Sequence, residues 1–327
     1  RIQDDLVRPL VCNYFLTFRC NDTCEFCRIW QDKCFQPGDE ATLESIKHNL
    51  RGLKELGVPV LNVTGGEPLL REDLTEILRE AKRLGFFIIL TSNGIEYPAK
   101  AQSITPFVDH LLFSLDWPTA EEHDRIRGAG CYDSVIESIG IAKKLGKAAF
   151  INFTVTRDSV TVLPEMYDLA LKLGVLLWIN PVYNWPGLEG FEKASVGYIS
   201  RYFGLKNSSL NLASLSTINA KGNRTRHPLC AAGSATITVL PDNTLVSPCL
   251  YLQKAAVKIN NDLVKVLRGR EVRLSVPFHG REKACEGCMA WEYLNPSFLR
   301  KFDKSFFLAA YSLWKLFWKE IRLKKGA

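Results

Sequence analysis

Along the first 180 residues, apolar and polar positions follow two alternating rhythms. Short apolar runs near 11–17, 58–63, 86–91, 108–115, 148–155 and 175–181 predict strands. The stretches 41–56, 72–84, 98–105, 132–145 and 162–173 between them have amphipathic spacing and predict helices. Gly57, Gly85, Gly146 and Gly174 each stand where a helix ends and the next strand begins, as a helix C-terminus prefers. Repeated β-α units of this length imply parallel strands joined by right-handed crossovers. The chain is therefore read as α/β, with six units making a partial (β/α)6 TIM-like barrel rather than the eight of a full one. An open doubly wound sheet fits the same pattern.

The barrel reading covers residues 1–185, and 186–229 reads as a connection rich in polar and small residues at Asn207–Ser216. A small domain of hairpin plus helix is expected over 230–297, with Ala235–Leu240 alternating, Pro241-Asp242-Asn243 turning and Thr244–Ser247 returning. In the tail, 298–327, Phe298, Phe302, Phe306, Ala310, Leu313, Phe317 and Ile321 share one helical face, which Tyr311, Trp314 and Trp318 widen. Lys301, Lys304, Lys315, Lys319, Arg322 and Lys325 fall mostly elsewhere around the wheel. Such a helix suits a membrane interface, which would make a lipid or polyprenyl-linked substrate plausible. A helix packed on the barrel or closing its open end, with merely solvated lysines, has the same pattern.

Composition changes this picture in three ways. At 46% hydrophobic and 24% charged residues, the chain is in the range of globular proteins. The net charge of +7 is concentrated in 298–327, where eight Lys or Arg face one Asp and one Glu. The body is thus near neutral, and no nucleic-acid partner is expected. No stretch of eighteen apolar residues suggests a transmembrane helix, and no signal peptide is seen. Seven of the ten cysteines fall into two groups, which in a chain this large indicates metal rather than disulfides and a reducing cytosol. A cytoplasmic protein is expected, with a peripheral place at the inner face of the membrane if the tail docks there.

The first group, Cys20, Cys24 and Cys27, follows the first strand, at the end of a barrel where active sites collect. Three thiolates so close can hold three irons of a cubane and leave the fourth open. Zinc is the alternative, with Cys34 as fourth ligand. The C-x3-C-x2-C spacing, with Phe26 before the last cysteine, resembles the radical S-adenosylmethionine (radical SAM) superfamily. Thr64-Gly65-Gly66-Glu67-Pro68 after the second strand is similar to that family's GGEP motif, which holds the methionyl amino group. Paired glycines also let backbone approach a ligand, and Glu67 can accept from an ammonium. Thr91-Ser92-Asn93-Gly94, Ser114-Leu115-Asp116 and Asp124-Arg125-Ile126-Arg127-Gly128 resemble further motifs of the family, in order, over residues 11–181. The resemblance implies that Gly65, Gly66, Glu67, Pro68, Asn93, Ser114, Asp116 and Arg127 bind S-adenosylmethionine.

Cys230, Cys249, Cys285 and Cys288 suit either zinc or a fully ligated iron–sulfur cluster. They resemble the twitch domain, the shortened form of SPASM, which carries one auxiliary [4Fe–4S] cluster. Thr244 stands where SPASM proteins usually have glycine, and the longer cysteine series is absent, excluding a second auxiliary cluster. The molybdopterin-precursor cyclase has three C-terminal cysteines and a terminal Gly-Gly, so that activity is disfavoured. Cys12, Cys34 and Cys131 read as inert thiols, His123 and His227 as structural, and no catalytic residue is singled out.

The resemblance implies two [4Fe–4S] clusters, reductive cleavage of S-adenosylmethionine, and hydrogen abstraction from an organic substrate by a 5′-deoxyadenosyl radical. It also implies an electron donor such as flavodoxin or ferredoxin. The auxiliary cluster, having no vacancy, is expected to move electrons, and where it accepts the substrate radical's electron the reaction is a dehydrogenation. The alternatives are coupling or epimerisation of a peptide or small molecule and, last, a non-catalytic zinc-binding scaffold. No leader-peptide recognition domain precedes the barrel in these residues, which counts against a peptide substrate.

Overall fold

The computed structural model describes residues 9–32, 35, 38–182 and 193–325. The elements begin with β1 (Val11–Phe15), α1 (Leu43–Glu55), β2 (Val60–Thr64), α2 (Leu74–Arg83), β3 (Phe87–Ser92) and α3 (Tyr97–Ile104). There follow β4 (His110–Ser114), α4 (Ala120–Arg127), α5 (Tyr132–Lys144), β5 (Ala149–Val155), α6 (Leu163–Leu173) and β6 (Leu176–Pro181). All six expected strands are present, and α4 is a helix that periodicity did not announce. Charged residues fill most of its length, so it has little apolar stripe to read.

Beyond β6 the expected connection is more structured than its composition suggests. It holds α7 (Lys193–Ser200), β7 (Ser208–Ser209) and α8 (Leu212–Asn219). Small buried residues such as Ala213, Ser214 and Thr217 make α8 look polar in sequence while letting it pack closely. The hairpin forms as β8 (Thr236–Val239) and β9 (Thr244–Ser247), with an unanticipated third strand, β10 (Ala255–Lys258). Then come α9 (Leu263–Arg268), α10 (Arg270–Ser275), α11 (Trp291–Phe298) and α12 (Lys304–Lys325). The tail is thus two helices rather than one, and Phe298 belongs to the first.

Strands β1 to β6 pair in parallel and in chain order, with β7 beside β6. The hairpin is joined to this sheet: β8 pairs in parallel with β1, placing Val11 beside Thr236 and Tyr14 beside Val239. Among the described residues one ten-stranded sheet results, in the order β10-β9-β8-β1-β2-β3-β4-β5-β6-β7. The main core joins both ends of the chain, since Leu61, Ile88, Phe153, Val239, Leu263 and Leu294 belong to one buried cluster. Each such side chain contributes about 1.5–3 kcal/mol on burial.

Alternation along the strands separates two environments. On one parity Thr64, Thr91, Ser114, Asn152 and Thr154 stand at the C-terminal ends and line a cavity. Toward the N-terminal ends the same parity carries Leu112, Phe150 and Leu176, which cluster with Leu316 of α12. The tail helix therefore packs on the barrel side of the sheet below the cavity. Lys319 donates to the carbonyls of Phe203 and Ser208 at 2.9 and 2.7 Å, and Glu320 meets His110 at 2.9 Å. Burial brings the Lys319 amine down to about 8.

Candidate active site and a second thiol cavity

The loop after β1 is clamped from two sides. Toward β2, the amides of Gly66 and Glu67 donate to the carbonyls of Thr17 and Arg19, both at 2.8 Å. A Cβ on Gly66 would lie 2.1 Å from the Arg19 carbonyl oxygen, and one on Gly65 2.2 Å from that of Thr17. The glycine pair thus serves the cysteine loop itself, beyond the ligand approach expected from sequence. Toward α4, Thr23 and Glu25 donate to the carbonyls of Arg127 and Ile126 at 2.9 and 3.0 Å.

Cys20, Cys24 and Cys27 line one cavity of about 180 Å³ together with Gly65, Gly66, Glu67, Asn93, Ser114 and Arg127. Glu67 is buried, accepting from the amides of Leu69 at 3.0 Å and Asn93 at 2.8 Å. Burial lifts its carboxyl to about 7 against those two bonds. The side-chain amide of Asn93 donates to Asn21 in the loop at 2.7 Å. Pro68 and Asp116 stand apart from this lining. Pro68 opens a 3-10 turn, and Glu67 caps the Leu69 amide within it. Asp116 lies behind Arg127, receiving its guanidinium and the Thr154 amide.

Arg127 gathers the loop electrostatically. Besides Asp116, its guanidinium lies 3.7 Å from the Asp22 carboxylate, 3.4 Å from the Cys24 sulfur and 5.6 Å from the Phe26 ring centroid. Its Nε and Asp22 Oδ1 are buried without partners, so polar valence at this site is unfilled among the described residues. Burial pushes the Cys20 and Cys24 thiols up to about 12 and raises that of Cys27. His123 is wholly buried, with Nδ1 accepting from the Asp116 amide at 3.2 Å and Nε2 meeting Cys131 at 3.3 Å. Burial drops its pKa to about 4, so the imidazole is neutral. Cys12 is buried in β1, and Cys34 lies outside the described residues.

The second group also converges. Cys230, Cys249, Cys285 and Cys288 line a much smaller cavity of about 20 Å³ with Ala232, Leu252 and Tyr293. Burial raises all four thiols, Cys249 to about 12 and Cys288 to about 11. The organiser is Asn223, wholly buried within the expected connection. Its side chain donates to the carbonyls of Gly280 and Cys285 and accepts from the amides of Leu229 and Cys230, at 2.8–3.3 Å. Its backbone pairs with Cys288 and Gly287. A lone asparagine has no sequence signal for such a role. In the first cavity Asn152 and Thr154 add polar lining, their signal in the sequence being two polar positions two apart in an apolar strand.

The radical SAM superfamily profile matches residues 14–170. The chain is 34% identical over 166 residues to the AdoMet-dependent heme synthase of Oleidesulfovibrio alaskensis, covering 50% of this chain and 42% of that protein. A probable GTP 3′,8-cyclase of Sulfurisphaera tokodaii is 27% identical over 276 residues, covering 78% of this chain and 84% of that one. The chain thus spans less than half of the first relative and most of the second. Among solved structures, anSMEcpe with bound AdoMet superposes with a TM-score of 0.64 at 15% identity, over 98% of this chain and 96% of that one. That likeness shows a shared partial-barrel fold.

Proposed function

We propose, on the premise that this chain belongs to the radical SAM superfamily, that the three-thiol cavity is its catalytic centre and the four-thiol cavity an electron relay. Members of the family use S-adenosylmethionine and a [4Fe–4S] cluster. The observation carrying the proposal is that three thiols from one loop share a cavity with Glu67, Asn93, Ser114 and Arg127. That donor set fits: three sulfurs for a cluster, and beside them a carboxylate for an ammonium and a guanidinium for a carboxylate.

Cys20, Cys24 and Cys27 would hold the cluster, which when bound supplies the electron that cleaves S-adenosylmethionine to a 5′-deoxyadenosyl radical able to abstract substrate hydrogen. Glu67 would receive the methionyl amino group through lone pairs left beside its two amide bonds. Arg127, fixed by Asp116, stands near the cysteine loop to balance negative charge. Gly65 and Gly66 hold the loop against β2, and Phe26 covers the guanidinium.

For Cys230, Cys249, Cys285 and Cys288 the donor set is four thiols in a small cavity whose lining carries no carboxylate or guanidinium, which suits a fully ligated cluster. With no vacancy it would accept an electron rather than bind substrate, so a two-electron oxidation of an organic substrate is the favoured reaction. The test is anaerobic reconstitution with iron and sulfide, followed by reduction in the presence of S-adenosylmethionine. Wild type should form 5′-deoxyadenosine, and Cys24→Ala should fall to background. Zinc in place of iron, with no visible absorption, would defeat the reading.

A further inference from the structure

We propose that the outward side of α12 docks on an anionic lipid bilayer. This inference is independent of the chemistry proposed above.

The helix has two unlike sides. Ala309, Ser312, Leu316 and Lys319 recur at steps of three and four, are buried, and face the protein. On the opposite side Phe307, Tyr311, Trp314 and Trp318 form a second row at the same steps, exposed by 63%, 44%, 54% and 46%. Leu313 and Phe317 widen it and are also exposed. The expectation of a membrane face and that of a helix packed on the barrel therefore describe opposite sides of one helix. Phe306 and Ala310 lie on the flank between them.

Such an apolar patch needs a cover, and its chemistry selects among covers. Trp and Tyr are the side chains that favour the membrane–water boundary, where ring and polar edge are both accommodated. Along the edge beside Tyr311, Lys304 and Arg322 are exposed, and Lys315 holds its ammonium 5.7 Å from the Tyr311 ring centroid. The single carboxylate within α12, Glu320, is turned inward to His110. Asp303, just before the helix, is occupied by the amides of Ser305 and Phe306. Within the helix the outward side thus pairs aromatic rings with cations and carries no carboxylate, the exposed Asp303 at its start serving as the cap. A second copy docked face to face would oppose cation to cation, whereas anionic headgroups complement both parts of the face. Among the described residues no helix is long and apolar enough to cross a membrane, so the contact is one of lying on the surface.

The experiment is flotation of the full chain with vesicles of phosphatidylcholine alone and of phosphatidylcholine with one third phosphatidylglycerol. Wild type should partition onto the anionic vesicles at least roughly tenfold more strongly. Trp314→Ser/Trp318→Ser and, separately, Lys304→Glu/Arg322→Glu should each remove most of that binding while the thermal midpoint stays near wild type. If the tryptophan pair lowers the midpoint, Phe307→Ser/Phe317→Ser takes its place, since these rings also lie outside the buried row. The proposal is overturned if wild type does not float, or if the variants bind as wild type does. It is equally overturned if the chain forms a dimer in solution that the aromatic substitutions dissolve, with no vesicle binding.

Discussion

The two thiol-lined cavities are built on opposite plans. The three cysteines of the first come from one eight-residue loop, and those of the second come from separate segments spanning Cys230 to Cys288. The first cavity is roomy, lined by Glu67, Asn93, Ser114 and Arg127, and charged; the second is an order of magnitude smaller, with no carboxylate or guanidinium in its lining. A centre that must admit a cosubstrate and a substrate needs access, polar handles and charge balance. A centre that only passes electrons needs none of these. The contrast also separates how each site is held: backbone pairing to two neighbouring elements clamps the first, while one buried asparagine ties together the second.

The largest expected effect comes from removing a thiol of the second cavity. In reconstituted protein, Cys249→Ser should lower iron by about half, from roughly eight to four per chain. It should leave 5′-deoxyadenosine formation in place while lowering the thermal midpoint by several degrees, because ligand binding contributes to folding. If this variant lost 5′-deoxyadenosine as fully as Cys24→Ala, the division of labour between the cavities would be wrong. Asn223→Ala should be next. It strands two buried carbonyls and two amides, which should cost about 3 kcal/mol in urea unfolding and reduce cluster loading at the second cavity alone. The smallest effect is expected from Gly66→Ala, whose Cβ must displace the Arg19 carbonyl. Stability should fall by about 1–3 kcal/mol, with slower 5′-deoxyadenosine formation and an unchanged second cluster by its electron paramagnetic resonance signal. Equal damage at both clusters would show that the loop and the enclosure are mechanically coupled.

The same contrast explains what the sequence made legible. The convergence of the first cavity's lining could be read because its three cysteines are adjacent and its remaining groups sit at the ends of successive strands. There, strand periodicity converts position in the chain into position in space. Asp116 and Pro68 stand outside the cavity lining for a related reason: motif order gives the strand end but not which side chain turns inward and which braces its neighbour. The four-thiol site was legible only through its cysteines. Asn223 was hidden because six hydrogen bonds made by one amide residue leave no spacing to detect. In the tail, periodicity found an amphipathic helix but could not choose its inner side. Ser312 and Lys319 face the protein because Ser312 accepts from the Leu212 amide and Lys319 donates to the carbonyls of Phe203 and Ser208, which apolarity alone does not rank.

The pairing of β1 with β8 also has a consequence for biosynthesis. As the chain is made, Val11–Phe15 can join β2 early, but its other edge must wait for Thr236–Val239. More than two hundred residues separate the two strands, a delay of roughly ten to forty seconds at ordinary elongation rates. Through that interval the nascent barrel carries an open strand edge next to the loop that holds Cys20, Cys24 and Cys27. The emergence of the C-terminal segment is then the event that closes the edge, so a chain halted before residue 236 should be the species that chaperones retain.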